Sequence, residues 1–129
     1  MHKQLKSLLL YAAILAAGLG VGMGAPRVIQ LMQPAYTEGN NSAYFPDAQT
    51  QVVLYGTASC PHCAKARAYL KQHHIAYTDF NLHDNEKAVR DFKQLGGTGV
   101  PLLLVGERRI TGFDQATLEA ALKHIGRLN

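Results

Sequence analysis

Val52-Val53-Leu54-Tyr55-Gly56-Thr57-Ala58-Ser59-Cys60-Pro61-His62-Cys63-Ala64-Lys65-Ala66-Arg67-Ala68-Tyr69-Leu70 reads as a strand, a tight connection and the start of a helix. The first four residues form a compact apolar, β-favouring run that Gly56 ends, the pattern of a buried central strand. Pro61 suits a first helical position, because the N–H it lacks would have no partner there. Ala64, Ala66, Ala68 and Leu70 sustain the helix to about His73. Cys60 therefore stands at a helix N-terminus, with Cys63 one turn later on the same side.

Downstream, Ile75-Ala76-Tyr77-Thr78-Asp79-Phe80 predicts a second strand. Asp84 or Asn85 can cap a helix with Ala88, Val89, Phe92 and Leu95 on one face, stopped by Gly96 and Gly97. Pro101-Leu102-Leu103-Leu104-Val105 reads as a strand, Gly106-Glu107 as a tight turn and Arg109-Ile110 as a short return strand. Asp114 caps a last helix carrying Leu118, Ala121, Leu122 and Ile125. The order β-α-β-α-β-β-α is an α/β layout with helices packed over a small sheet.

The chain has only two cysteines, separated by two residues, which is too close for a structural staple. Their value is then chemical. A thiol attacks a disulfide as its thiolate, and backbone N–H groups at a helix start favour that charge on Cys60. Cys63 is placed to resolve the mixed disulfide that forms. A second use of the pair is holding a soft metal ion or an iron-sulfur cluster. The spacing of His73, His74, His83 and His124 supports no metal site, and none is assigned.

The element order is thioredoxin-like, and residues 51–129 resemble the glutaredoxin family in particular, without the extra N-terminal strand and helix of full thioredoxins. The resemblance rests on Cys60-Pro61-His62-Cys63, on Val100-Pro101 opening the third strand, and on Gly112-Phe113-Asp114. It implies a thiol-disulfide oxidoreductase with Cys60 as nucleophile, Cys63 as resolving thiol, and Pro61 and His62 within the catalytic motif. It implies that Pro101 is a cis-proline beside the active-site sulfurs, and that Val100 offers backbone hydrogen bonds to a bound chain. It further implies that Gly112, Phe113 and Asp114 hold the γ-glutamyl end of glutathione, although Asp114 serves equally as a helix cap.

Two departures weigh against glutathione. Thr57 stands where many glutaredoxins carry lysine, and Gly99 replaces the threonine of their threonine-valine-proline motif. His62 resembles the proline-histidine of periplasmic disulfide oxidases. The partners expected are protein thiols and disulfides, with glutathione as a candidate co-substrate and no bound cofactor.

The chain's length of 129 residues allows one domain and an appendage. The net charge of +4 becomes +2 beyond Pro26, where 11 Lys and Arg face 9 Asp and Glu. Those charges are interspersed, with Arg108-Arg109 the nearest approach to a cluster, which argues against a nucleic-acid partner.

Residues 1–26 carry Lys3 and Lys6 before an uncharged run from Ser7 to Pro26, the layout of a signal anchor or a signal peptide. The expectation is a domain anchored to a membrane on its non-cytoplasmic side, the periplasmic side if bacterial. The alternative is cleavage before Ala25, after Gly22 and Gly24, and a soluble periplasmic domain. Residues 27–50, with Pro34, Gly39, Asn40, Asn41, Ser42 and Pro46, read as a tether, with a short helical turn at Val28, Ile29, Leu31 and Met32.

Overall fold

The structure is a computed structural model that describes residues 2–32 and 35–129, with side chains described for 2–19 and 35–129. The chain divides into two units, Met1–Pro34 and Ala35–Asn129.

The first unit is helix α1, His2–Met32. It runs past the boundary expected at Pro26, so residues 27–32 belong to the helix and not to a tether. Leu8, Leu9, Leu10, Tyr11, Ile14, Leu15 and Leu19 are all exposed, at successive positions around the helix. Among the described residues, no helix is long and apolar enough to cross a membrane. The side chains at the expected cleavage neighbourhood, Gly22 to Pro26, and at Val28, Ile29, Leu31 and Met32, lie outside the described residues, as does Pro34.

The second unit is built on five strands: β1 (Thr37–Glu38), β2 (Val52–Gly56), β3 (Thr78–Asn81), β4 (Leu102–Val105) and β5 (Arg108–Thr111). Three helices accompany them, α2 (Pro61–Gln72), α3 (Glu86–Gln94) and α4 (Gln115–His124). The sheet order is β1-β5-β4-β2-β3, parallel only between β2 and β3, where α2 makes the crossover. The expected β-α-β-α-β-β-α order is present from β2 onward, and its central strands are continuous apolar runs because both faces of the sheet are covered.

Strand alternation assigns each residue of those runs to a face. Val52 and Leu54 of β2, Leu103 and Val105 of β4 and Ile110 of β5 pack with Ala66, Tyr69 and Leu70 of α2 and Leu118, Ala121 and Leu122 of α4. Val53, Tyr55, Leu102 and Leu104 face the other way, onto Ala88 and Leu95 at α3. The α2–β2–α3 sandwich fixes where β2 ends and α2 begins, and hence where the cysteines lie.

Residues 35–50 correct the tether reading. Thr37 and Glu38 pair antiparallel with Arg109 and Arg108 of β5, adding an edge strand ahead of the expected domain start at Gln51. Asn41 is buried, and its side-chain amide donates to the Gly106 carbonyl at 3.0 Å. The Gly39 N–H donates to the Glu107 carbonyl at 2.9 Å. Arg108 lies over the Tyr36 ring, 4.4 Å from its centroid. Tyr44 and Phe45 pack against the α3-side core. A segment that hydrogen-bonds to the β4–β5 turn and covers apolar surface is part of the domain.

Candidate active site

Cys60 is the N-cap of α2, with extended backbone at φ −84° and ψ 117°, and Pro61 follows at the first helical position. The N-cap side chain normally accepts from an unpaired N–H of the first turn. Here that acceptor is sulfur, with the Cys63 N–H donating to Cys60 Sγ at 3.3 Å. In its thiol form Cys60 also donates to the Val100 carbonyl at 3.7 Å. The Cys63 thiol above all, then the backbone N–H groups of Cys63 and His62 and last the charge of Arg67, hold the Cys60 thiol below its ordinary pKa against the opposing effect of desolvation.

Cys63 is fully buried, and burial pushes its thiol up, reinforced by its hydrogen bond with Cys60. The two sulfurs are thus unlike: one half-exposed and stabilised as thiolate, the other buried and held protonated. Gly56 makes room for the second. A Cβ there would lie 2.9 Å from Cys63 Sγ, so any larger residue at the end of β2 would collide with it.

The peptide bond Val100–Pro101 is cis, and Pro101 is buried immediately before β4. Gly112, at φ 84°, sits just after β5, and its N–H donates to the Pro101 carbonyl at 2.7 Å. Gly112 thus contacts Pro101, whose neighbour Val100 in turn contacts Cys60. Asp114 is the N-cap of α4 and accepts from the Thr117 N–H at 2.8 Å; the Thr117 side chain first and this backbone N–H second hold its carboxyl below the usual range. Phe113 packs into the core beside α2, its ring centroid 6.3 Å from that of Tyr69.

Comparison with known proteins accords with this geometry. The family model described as Glutaredoxin matches residues 52–110, from β2 to β5. An uncharacterized glutaredoxin-like 8.6 kDa protein in a rubredoxin operon of Clostridium pasteurianum is 30% identical over 73 residues, covering 56% of this chain and 97% of that protein. This chain belongs to the glutaredoxin family. The glutaredoxin from Archaeoglobus fulgidus shares its fold, with a TM-score of 0.52 at 20% identity over 59% of this chain and 89% of that one. This chain also resembles part of the global transcriptional regulator Spx 2 of Bacillus cereus. That similarity is 43% identity over 44 residues, and this chain spans only 34% of the regulator's length.

Within this glutaredoxin, the structure turns one residue expected to act, His62, to solvent and brings in one that was not, Arg67. His62 is exposed, and the contribution visible at Cys60 is its backbone N–H, not its imidazole. Arg67 does not share the solvated face of α2 with its neighbours Lys65 and Lys71. Lys65 and Lys71 are exposed, whereas the Arg67 side chain is only 20% exposed. Its Nε and Nη2 fork onto the Asp79 carboxylate at 2.6 and 3.0 Å, and its Nη1 donates to the Thr57 carbonyl at 3.0 Å. The available signal was helical spacing, since positions 60, 63 and 67 share one face. Among the described residues, no group of three or more His, Cys, Asp or Glu converges as a metal site.

Proposed function

We propose that this chain is a thiol-disulfide oxidoreductase working through Cys60 and Cys63. The observation that carries the reading is the asymmetry of the pair: Cys60 is half-exposed with its thiolate favoured, and Cys63 is buried directly behind it with its thiol favoured. The Cys60 thiolate attacks a substrate disulfide, one sulfur of the substrate leaves as a thiol, and Cys63 then displaces the other by forming the Cys60–Cys63 disulfide.

Protein disulfides are the substrate class that the surroundings favour. Asp114 already accepts from its own helix, and position 57 offers no cation for a glutathione carboxylate. What faces Cys60 is backbone at Val100 and Pro101, which suits an extended chain lying alongside. Stabilising the Cys60 thiolate stabilises the dithiol state and makes the disulfide a better oxidant.

We also propose that α1 holds the domain at a membrane, with the domain on the non-cytoplasmic side. The uncharged run Ser7–Pro26 after Lys3 and Lys6 supports this, as do the exposed leucines around the helix. Recovery of the chain from membranes by detergent but not by salt or alkali is the expected outcome, and release by salt alone contradicts it.

The redox reading is tested by trapping. With a disulfide-bonded peptide, Cys63→Ser accumulates a mixed disulfide on Cys60 that mass spectrometry detects, while Cys60→Ser accumulates none. Equal trapping by both variants would remove the assignment of roles.

A further inference from the structure

The second half of such an exchange asks for a thiolate at the more deeply buried sulfur. Taking the dithiol exchange proposed above, Cys60 Sγ is joined to a substrate sulfur and Cys63 must lose its proton. The Cys63 thiolate attacks Cys60 Sγ, the Cys60–Cys63 bond forms, the bond to the substrate sulfur breaks, and that sulfur departs with the electron pair and takes up a proton. Two electrons pass from the dithiol to the substrate disulfide over the whole cycle.

In the mixed disulfide Cys60 carries neither charge nor S–H. The hydrogen bond and the charge through which it disfavours ionisation of Cys63 are then gone. What remains is burial on one side, and on the other the Thr57 backbone and the Arg67 cation, both of which favour the thiolate.

The geometry puts that cation close. A Cβ on Gly56 would meet Cys63 Sγ at 2.9 Å and Arg67 Nη2 at 3.3 Å. The sum of these bounds the sulfur-to-nitrogen distance at about 6 Å, within the range over which an opposite charge shifts a titration. The guanidinium is held by three hydrogen bonds, two to Asp79 and one to the Thr57 carbonyl.

We propose that Arg67, clamped by Asp79 and Thr57, is a positioning residue for resolution: its guanidinium stabilises the Cys63 thiolate as Cys63 attacks the mixed disulfide on Cys60. The titratable groups acting on Cys63 are Cys60 and Arg67, and those acting on Arg67 are Asp79, Cys63 and Tyr77. Asp79 fixes the cation in place and partly neutralises it. The charge of Arg67 is the smallest of the favourable influences on each thiol, but at Cys60 three hydrogen bonds outrank it and at Cys63 only the Thr57 backbone does, so the first attack depends on it less.

The test uses the reduced full-length chain mixed with one equivalent of a symmetrical aryl disulfide that releases a coloured thiolate. The first release reports attack by Cys60 and the second reports resolution by Cys63. In Arg67→Met the pH midpoint of the second phase rises by about one unit, and its rate below that midpoint falls about tenfold, while the first phase changes less. Arg67→Lys, which keeps the charge, recovers at least part of the shift. Asp79→Asn leaves Arg67 held at Thr57 with its charge unopposed and moves the midpoint downward.

An unmoved midpoint in Arg67→Met, or equal shifts in the Met and Lys variants, would overturn the role and leave Arg67 as packing alone. Should Arg67→Met not fold, an upward or absent shift in Asp79→Asn overturns it as well. A wild-type chain that gives no second release contradicts the dithiol reading itself and takes the role of Arg67 with it. Two phases indifferent to Arg67 contradict only the latter.

Discussion

At the scale of single residues the chemistry depends on where two identical side chains are placed. Cys60 caps a helix with its sulfur, and Cys63 sits one turn in, against β2. The alkylation rate of Cys60 should therefore rise with pH and reach half its maximum below the ordinary thiol range, because the folded protein favours this thiolate. Iodoacetamide kinetics followed by mass spectrometry check this, with unfolded chain as reference; equal midpoints would contradict it. Gly56→Ala should destabilise the fold by roughly 1–3 kcal/mol in urea unfolding, since the added Cβ meets Cys63 Sγ, Leu54 and Arg67 together.

The places of Cys60 and Pro61 at the start of α2 were legible in the sequence because helix capping is a local rule. Arg67 was not, because its partner Asp79 is set by the β2–β3 pairing and lies twelve residues further on.

At the scale of elements, the long apolar runs were readable and the short polar ones were not. β2 and β4 appear where the apolar pattern puts them, and α3 starts at Asn85, one of the two caps expected, whose side chain accepts from the Ala88 N–H at 2.9 Å. The second strand begins at Thr78 instead of Ile75, because the chain leaves α2 through His74 at φ 54° and buries Ile75 before pairing begins. β1 has two exposed residues and no period of its own, and its extended form comes from pairing with β5.

Asn41 is the anchor of that segment. Asn41→Ala should destabilise the domain by about 1–3 kcal/mol in urea unfolding, because the Gly106 carbonyl loses its amide partner in a buried setting. A change of only a few tenths would mean that residues 35–50 are loosely held.

At the scale of the whole molecule, the boundary between units falls at residues 34 and 35, not at 50 and 51. Residues 35–129 should unfold cooperatively and keep the Cys60–Cys63 couple, whereas residues 51–129 should unfold at lower denaturant, having lost β1, the Asn41 bond and the Tyr44 and Phe45 packing. Circular dichroism of the two fragments measures the difference, and identical midpoints would restore the tether reading.

The central claim, that Cys60 and Cys63 form a reversible redox couple poised by a stabilised Cys60 thiolate, is met most directly by a redox titration. The full chain is equilibrated across glutathione buffers and its free thiols are counted by alkylation. The account predicts a single two-electron transition at a potential less negative than the about −270 mV of thioredoxin. Two thiols free at every buffer ratio, with no Cys60–Cys63 disulfide formed, would contradict it.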